Sequence, residues 1–512
     1  MTQSASRKIF QGVLSGFGLT IVSIFVAFVQ LRLVIDFLPR SIAGIWLLFL
    51  SLGAYIAFFD LGISPTLSRE ISFILGGNSE EPSNRRQIAD LLATCLRIFQ
   101  VVAAAVFIIG LIAGMAFLWS IAPTDSIREI SIAWVVFMVG ASINIIGGAA
   151  YASLYGLGDV ATERISRALT QLFGLGLSYL SLYLGFGLVG LTTSWVIQNL
   201  LSRVVSAFIL YQRHPWLRQE KGQAQRTIVK KIVGPSLKWA ATGLGAILIL
   251  QTDNVIIAAT LGPSAIPSYE AVAKIAMTLM TLSLYIVTSS SPFLSKAYAS
   301  GDNNIVNEML LRNVRLSMSA IVFLVSFMAA FGEQVINLWL GPGNFVGFPV
   351  LWTLLLMVLL ETHHVALATA TMATGRIAFV WAAIGAGVLN ILLSLVLVRY
   401  WGLWGVALGT MIAQILTNNW YAPYVALRHF KIPFRDYMIN VLNPIMVALI
   451  ACLVFNFSIG YFFHGYTTMV LLPAVLTLSG IFSIALFYLL VMTNPEKGFI
   501  AAKLAAYTKL RK

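Results

Sequence analysis

Cysteine is nearly absent from the sequence: Cys95 and Cys452 are the only two, and both sit in apolar stretches. That excludes a disulfide framework and a thiolate metal cluster. Charge is also scarce, at 10% of 512 residues, where a typical soluble domain carries about 25%. Acidic residues are scarcer than basic ones, 19 against 33. Too little polar material remains to coat several soluble domains. Hydrophobic residues make up 59% of the chain, and its mean hydropathy is +0.88. Apolar runs recur along it, each long enough to cross a hydrocarbon core of roughly 30 Å. The first, 9–38, is too long for a signal-peptide core and is read as a membrane span. Composition therefore predicts an all-α polytopic membrane protein.

Fourteen spans divide the chain, at about 9–37, 42–74, 91–119, 131–156, 168–186, 189–211, 232–259, 269–297, 313–335, 349–373, 377–399, 404–427, 437–462 and 468–492. With the N-terminus placed in the cytoplasm, the inside links and flanks collect 26 of the 33 lysines and arginines. Outside links hold only Arg40, Arg128 and Arg399. This bias predicts cytoplasmic N- and C-termini. It also makes most of the net charge of +14 a topology signal, which argues against a nucleic-acid partner. Trp46, Trp119, Trp339, Trp401 and Trp404 fall near outer span ends, as an interfacial belt would place them.

The chain also repeats. Ser64-Pro65-Thr-Leu-Ser-Arg69 is matched by Ser291-Pro292-Phe-Leu-Ser-Lys296, each a small residue, a proline kink and a terminal cation. Ser41 to Trp46 parallels Ser264 to Tyr269. Gly187-Leu-Val-Gly190 with Gln198 parallels Gly402-Leu-Trp-Gly405 with Gln414. The order and direction are the same in both halves, which predicts two parallel six-helix bundles around a central cavity. The expected organisation is a first bundle over 1–211, a basic cytoplasmic linker over 212–231 and a second bundle over 232–427. Two added spans over 437–492 and a basic tail over 493–512 complete it. Such an architecture suits an alternating-access transporter.

Ionisable residues inside spans are costly and point to function. An outer layer holds Arg32, Asp253, Glu270 and Lys274; an inner layer holds Asp60, Arg69, Arg203, Lys238 and Lys296. Glu270 and Lys274 are four residues apart and can pair on one helix face. Arg69, Lys238 and Lys296 can equally snorkel to the headgroups. Glu361, followed by Thr362, His363 and His364, is either a proton-titrating site or a carboxyl hydrogen-bonded to a neighbouring helix. Tyr55, Gln251, Asn254, Tyr285 and Asn390 can meet a polar substrate or cement helix contacts.

Asp60-Leu-Gly-Ile63 followed by Arg69-Glu70, Asp253-Asn-Val-Ile-Ile257 with Leu261-Gly262 and Tyr269, and Asn390-Ile-Leu392 with Gly402-Leu-Trp-Gly405 resemble segments of the Wzx-type polysaccharide flippases. These belong to the multidrug/oligosaccharidyl-lipid/polysaccharide exporter superfamily. The resemblance implies movement of undecaprenyl-pyrophosphate-linked oligosaccharide between leaflets of a bacterial inner membrane, driven by an ion gradient. It also implies membrane lipids and polysaccharide polymerase or assembly proteins as partners. On this reading Arg32, Lys274, Arg203, Arg69 and Lys296 bind the anionic headgroup, while Asp60, Asp253, Glu270 and Glu361 serve as charge partners or in ion coupling. Arg32 and Lys274 are expected to hold the pyrophosphate, with Asp253 and Glu270 pairing them in the empty state.

Short outside links without an acid–base constellation speak against a membrane glycosyltransferase, polymerase or ligase. No phosphate-binding glycine loop, metal-ligand spacing or nucleophile elbow occurs, so neither an ATP-driven pump nor a hydrolase is expected, and no cofactor is called for. A multidrug/cation antiporter of the same superfamily should instead carry an acidic cavity, and a lipid II flippase differs only in the sugar.

Overall fold

The computed structural model describes residues 3–75, 82–220, 222–462 and 471–498. Among these the elements are helical and no strand occurs. The basic positions Lys221, Lys503, Lys509, Arg511 and Lys512 lie outside the described residues, as does the side chain of Lys238. The chain divides into two compact units, Met1–Pro267 and Ser268–Lys512.

The first unit holds α1 (Gln3–Phe37), α2 (Arg40–Phe58), α3 (Ile63–Leu75), α4 (Pro82–Ile121), α5 (Ile127–Gly156), α6 (Val160–Tyr183), α7 (Gly187–Arg213), the single turn α8 (Trp216–Gln219), α9 (Arg226–Leu250) and α10 (Thr252–Leu261). Helix α5 is central, packed on α4, α7 and α3, while α6 lies against α1 and α7. In hydrocarbon, helices associate by close packing and polar contacts rather than by apolar burial. Accordingly Phe137 stacks on Trp195 with ring centres 4.5 Å apart and on Trp134 at 5.5 Å. Trp46 belongs to this interior rather than to an interfacial belt, being fully buried, whereas Trp119 and Trp401 are at least half exposed.

Span 2 is broken, and the break is written in Asp60-Leu-Gly. Leu61 and Gly62 take positive φ, 50° and 72°, which ends α2 and restarts the chain as α3. Gly62 bears that conformation without a Cβ clash; Leu61 is a strained position. The Asp60 carboxylate accepts from Ser64 N at 3.2 Å and from Ser64 Oγ at 3.1 Å, satisfying the new helix start. Proline is not the cause. Pro65 sits in the first turn of α3, where its missing N–H costs nothing, and Pro292 lies within a continuous helix.

The compact division falls after α10, and the basic stretch 212–231 lies within the first unit. Polar contacts explain why: Ser236 Oγ donates to Thr66 at 3.0 Å, Asn254 Nδ2 donates to Ser51 at 2.9 Å, and Tyr55 bonds Thr252. The basic stretch itself is docked. Asp90 of α4 accepts from Gln223 N and Gln225 Nε2, each at 2.7 Å, and Thr94 Oγ1 accepts from Gln225 N.

The second unit holds α11 (Ile266–Ala299), α12 (Asn303–Leu340), α13 (Phe348–Ala373), α14 (Val380–Leu416), α15 (Asn418–His429), the single turn α16 (Phe434–Tyr437), α17 (Asn443–Phe462) and α18 (Leu471–Leu486). Helix α12 packs on α13 and α17, and α13 packs on α14 and α15. Within α14, Gly402 (φ 55°, ψ −133°) turns the chain back on itself. Asn390 Oδ1 locks the two arms by accepting from Thr410 at 2.9 Å and Ser394 at 3.0 Å. Asn390, Tyr55 and Asn254 thus cement helix contacts.

Twelve stretches of the described residues are long and apolar enough to cross a membrane. Two features account for the difference from fourteen. The stretch Val380–His429 contains the Gly402 turn and comprises two spans. Helix α6, 24 residues and so about 36 Å long, carries Glu163, Arg164 and Arg167 in its first turns, which lowers its apolarity. The protein is a multi-pass helical membrane protein, with an outer surface rich in exposed leucine, isoleucine, valine and phenylalanine.

Candidate functional site

A cluster of charged side chains in the first unit surrounds the start of α6. Glu163 is fully buried, with one carboxylate oxygen 3.4 Å from Arg167 Nε, too poorly aligned for a hydrogen bond, and the other oxygen without a partner. The guanidinium of Arg167 lies over the Tyr151 ring at 4.9 Å. Arg203 reaches the same ring from α7 at 6.0 Å and donates through two nitrogens to Asn144 Oδ1, the Nε bond being 2.8 Å. Arg164 donates to Tyr155 OH at 2.9 Å and to the Gly12 carbonyl of α1. Tyr151 and Tyr155 lie 4.8 Å apart and join these groups. Asp60 lies within electrostatic range of Arg203.

The inner-layer expectation therefore separates into parts. Asp60 and Arg203 come near one another, and Asp60 also caps α3. Arg69 pairs instead with Glu70 at 3.2 Å, and Lys231 of α9 approaches the other oxygen of Glu70 at 2.8 Å. From the sequence alone Arg164 and Arg167 are part of the cytoplasmic topology charge, and nothing singles out Glu163 beyond its spacing of four from Arg167.

In the outer layer, Arg32 pairs with Asp36 at 2.5 Å, one turn along α1. Asp36 was not anticipated, although it too stands at i,i+4. Asp253 is partly buried in the first turn of α10, where the helix dipole favours a carboxylate.

In the second unit, Lys274 and Glu270 form the expected one-turn pair at 3.1 Å. Lys296 is exposed in the last turn of α11. Glu361 is buried on α13, with Oε2 3.1 Å from His364 Nδ1 and Oε1 without a hydrogen-bond partner. That contact is ionic only when His364 carries a proton. His363 Nε2 meets Tyr437 OH at 2.6 Å, where α16 passes into the π-helical stretch Met438–Leu442. Arg315 of α12, nearly buried, pairs with Glu496 at 2.7 Å. Burial alone would raise the Glu496 carboxyl. Hydrogen bonds from Thr493 N and from Arg315 outweigh it and hold the group below the usual glutamate range. No group of three or more histidine, cysteine, aspartate or glutamate side chains placed to hold a metal occurs among the described residues.

Residues 161–343, which include the Glu163–Arg167–Arg203 cluster, match the model of a family described as "Polysaccharide biosynthesis protein". Comparison with curated protein sequences gives no match. Solved structures do match in fold. Lipid II flippase MurJ in an inward closed conformation superposes with a TM-score of 0.69 at 13% identity, over 93% of this chain and 98% of that one. An inward-facing multidrug resistance MATE family transporter of the MOP superfamily gives 0.65 at 16%, over 82% and 99%. A MOP superfamily transporter from Pyrococcus furiosus gives 0.55 at 18%, over 83% and 96%. The chain thus has the fold shared by MurJ and the MATE transporters of the MOP superfamily, and over residues 161–343 its sequence is similar to a polysaccharide biosynthesis family.

Proposed function

We propose that this chain is a flippase. It moves undecaprenyl-pyrophosphate-linked oligosaccharide repeat units from the inner to the outer leaflet of a bacterial inner membrane, by alternating access coupled to an ion gradient. The observation that carries this reading is the match of residues 161–343 to a polysaccharide biosynthesis family within a transporter fold. The charge balance supports it: around Tyr151 and Tyr155, Arg164, Arg167 and Arg203 stand near Glu163, with Asp60 near Arg203, which leaves an excess of positive charge. A cationic drug would be repelled by that excess, whereas a pyrophosphate needs it to replace lost hydration. A membrane carrier of this kind performs no bond-making step, and the chain is read as a non-enzyme.

Two six-helix halves, 1–211 and 232–427, with spans over 437–492 appended and both termini cytoplasmic, form the organisation that goes with this function. Arg32, Lys274, Arg203, Arg69 and Lys296 are its candidate headgroup ligands, and Asp60, Asp253, Glu270 and Glu361 its candidate charge partners or ion-coupling groups. Polymerase and assembly proteins of the same polysaccharide system are its expected partners. A lipid II flippase is the second reading, favoured by the extent of the fold match to MurJ.

The decisive experiment is reconstitution of the purified protein into liposomes carrying either a fluorescent undecaprenyl-pyrophosphate oligosaccharide or lipid II. Leaflet exchange is then followed by quenching from outside. Faster exchange of the oligosaccharide lipid than of lipid II is expected; equal rates with empty liposomes for both would end the flippase reading.

A further inference from the structure

A buried carboxylate beside an excess of guanidinium groups is the arrangement a protein needs to take up an anion and a proton together. Glu163 has one oxygen without a hydrogen bond, and Arg167 Nε, though 3.4 Å from the other oxygen, has none either. Asn144 occupies two of the five N–H donors of Arg203. The described charged and titratable groups that face Glu163 are Arg164 and Arg167 on its own helix, Arg203 on α7 and Tyr151 on α5, with Tyr155 beside Tyr151 and Asp60 beside Arg203. Asp159, which precedes α6, is engaged by Arg213 and His214. Three guanidinium charges therefore stand against two carboxylates, Glu163 and the Asp60 that lies near Arg203, and the excess of one positive charge attracts an added anion.

An incoming oxyanion would meet Glu163 within a few ångströms. The two anions repel at that distance, which favours protonation of one of them, and the carboxylate is the one able to take a proton. Arg167 would then exchange its misaligned contact with Glu163 for aligned hydrogen bonds to the oxyanion.

We propose that Arg167 and Arg203, with Glu163 as a proton acceptor, form a phosphoryl-binding site between α5, α6 and α7 that binds its anion together with one proton. This deepens the flippase reading and rests on it for the identity of the natural ligand, a phosphoryl headgroup. Beside the site, the stem of Arg203 also lines an apolar cavity of about 300 Å³ with Leu92, Leu96, Ile143 and Ala207. A hydrocarbon chain attached to the phosphoryl group has apolar surface to occupy there.

The test uses the full chain in detergent, with sulfate as an oxyanion that does not titrate in the working range and farnesyl diphosphate as a lipid-borne one. Isothermal titration in buffers of different ionisation enthalpy reads affinity and proton uptake between pH 5.5 and 8. The wild type is expected to bind sulfate with uptake of about one proton, affinity falling by up to about tenfold per pH unit as pH rises. Glu163→Gln should bind without proton uptake and with a flat pH profile, while Arg167→Gln and Arg203→Gln should lose binding. Farnesyl diphosphate binding without sulfate binding, lost in the same arginine variants, would place the phosphoryl group on a lipid and keep the site. Thermal unfolding of each variant separates misfolding from loss of ligand. The proposal is overturned if neither probe binds in an Arg167-dependent way, or if Glu163→Gln keeps the proton uptake of the wild type. Because no transport is measured, either failure leaves the liposome assay to decide the flippase reading by itself.

Discussion

Lys231 Nζ lies 2.8 Å from Glu70 Oε2, which ties α9 to the second half of the broken second span. The two partners differ in setting. Glu70 is nearly buried and also meets Arg69, whereas Lys231 is mostly exposed and screened by solvent. Removing the lysine should therefore cost little, under about 1 kcal/mol. Glu70→Ala exposes the asymmetry, because it leaves two cations facing each other and should cost about 2 kcal/mol. Thermal unfolding in detergent of Lys231→Ala and Glu70→Ala checks the ordering, and equal losses would contradict it.

The break between α2 and α3 gives a second prediction. Asp60→Ala removes the acceptor for Ser64 N and Ser64 Oγ and should destabilise by about 1 kcal/mol, the usual loss of an N-cap. Gly62→Ala forces a Cβ into φ 72° and should cost a further 1–2 kcal/mol, roughly. Asp60→Asn retains an acceptor and should melt within a degree or two of wild type. If Asp60→Asn nonetheless abolishes leaflet exchange, its charge serves transport as well as the cap.

Much of this was legible in the chain, and the reasons are physical. Hydrocarbon spans are long and hydropathy averages over many residues, so the helices and the Gly402 and Gly187 turns announce themselves. A span broken by Asp60-Leu-Gly reads as continuous, because only local φ values distinguish it from a kink at Pro65. Side-chain partnership is harder still. The sequence reading offers Asp253 and Glu270 as partners for Arg32, and the structure adds Asp36, one turn along the same helix. Arg164 and Arg167 look like cytoplasmic topology charges until α5 and α7 bring Tyr151 and Arg203 to them. The pairing depends on which helices are neighbours, and one sequence does not encode that locally.

Arg32 and Lys274 differ in chemistry, and this sets a third prediction. The guanidinium of Arg32 pairs with Asp36 through Nε, and its planar fork suits bidentate recognition of a phosphoryl group in a way that an ammonium does not. Arg32→Lys loses the fork and should lower leaflet exchange by roughly tenfold, the effect of losing about 1.4 kcal/mol. Lys274→Arg retains a cation beside Glu270 and should transport within about twofold of wild type. Wild-type exchange by Arg32→Ala at normal expression would make Arg32 an interfacial anchor.

Stability should depend on acid through the Arg315–Glu496 pair. The Glu496 carboxyl is held below its ordinary range in the folded chain, so it favours folding wherever it is ionised. That contribution is complete above the ordinary glutamate value of about 4.3 and is lost as pH falls through the lowered folded value. Glu496→Gln should lower stability near neutral pH by roughly 1–3 kcal/mol, because it leaves the nearly buried Arg315 without its counter-ion. Its melting temperature should then change less than that of the wild type between pH 5 and pH 3.5. Parallel melting curves for the two proteins would show that the pair carries no linkage.

Glu361 is the sharpest test of ion coupling. It is buried on α13 with His364 one turn away, and His363 beside it is joined to Tyr437 at 2.6 Å. A carboxylate in such a place has a functional role by default, since a purely structural hydrogen bond could be made by glutamine at lower cost. Glu361→Gln keeps the shape and removes the exchangeable charge. If Glu361 carries the coupling proton, the variant should still equilibrate labelled substrate between leaflets when no gradient is imposed. It should lose accumulation driven by a proton gradient by about tenfold or more. Both reactions measured in the same proteoliposomes, with melting temperature as a control, separate the outcomes. A fall in both together with a lower melting temperature would make Glu361 a packing residue, and retention of driven accumulation would move coupling to another carboxylate.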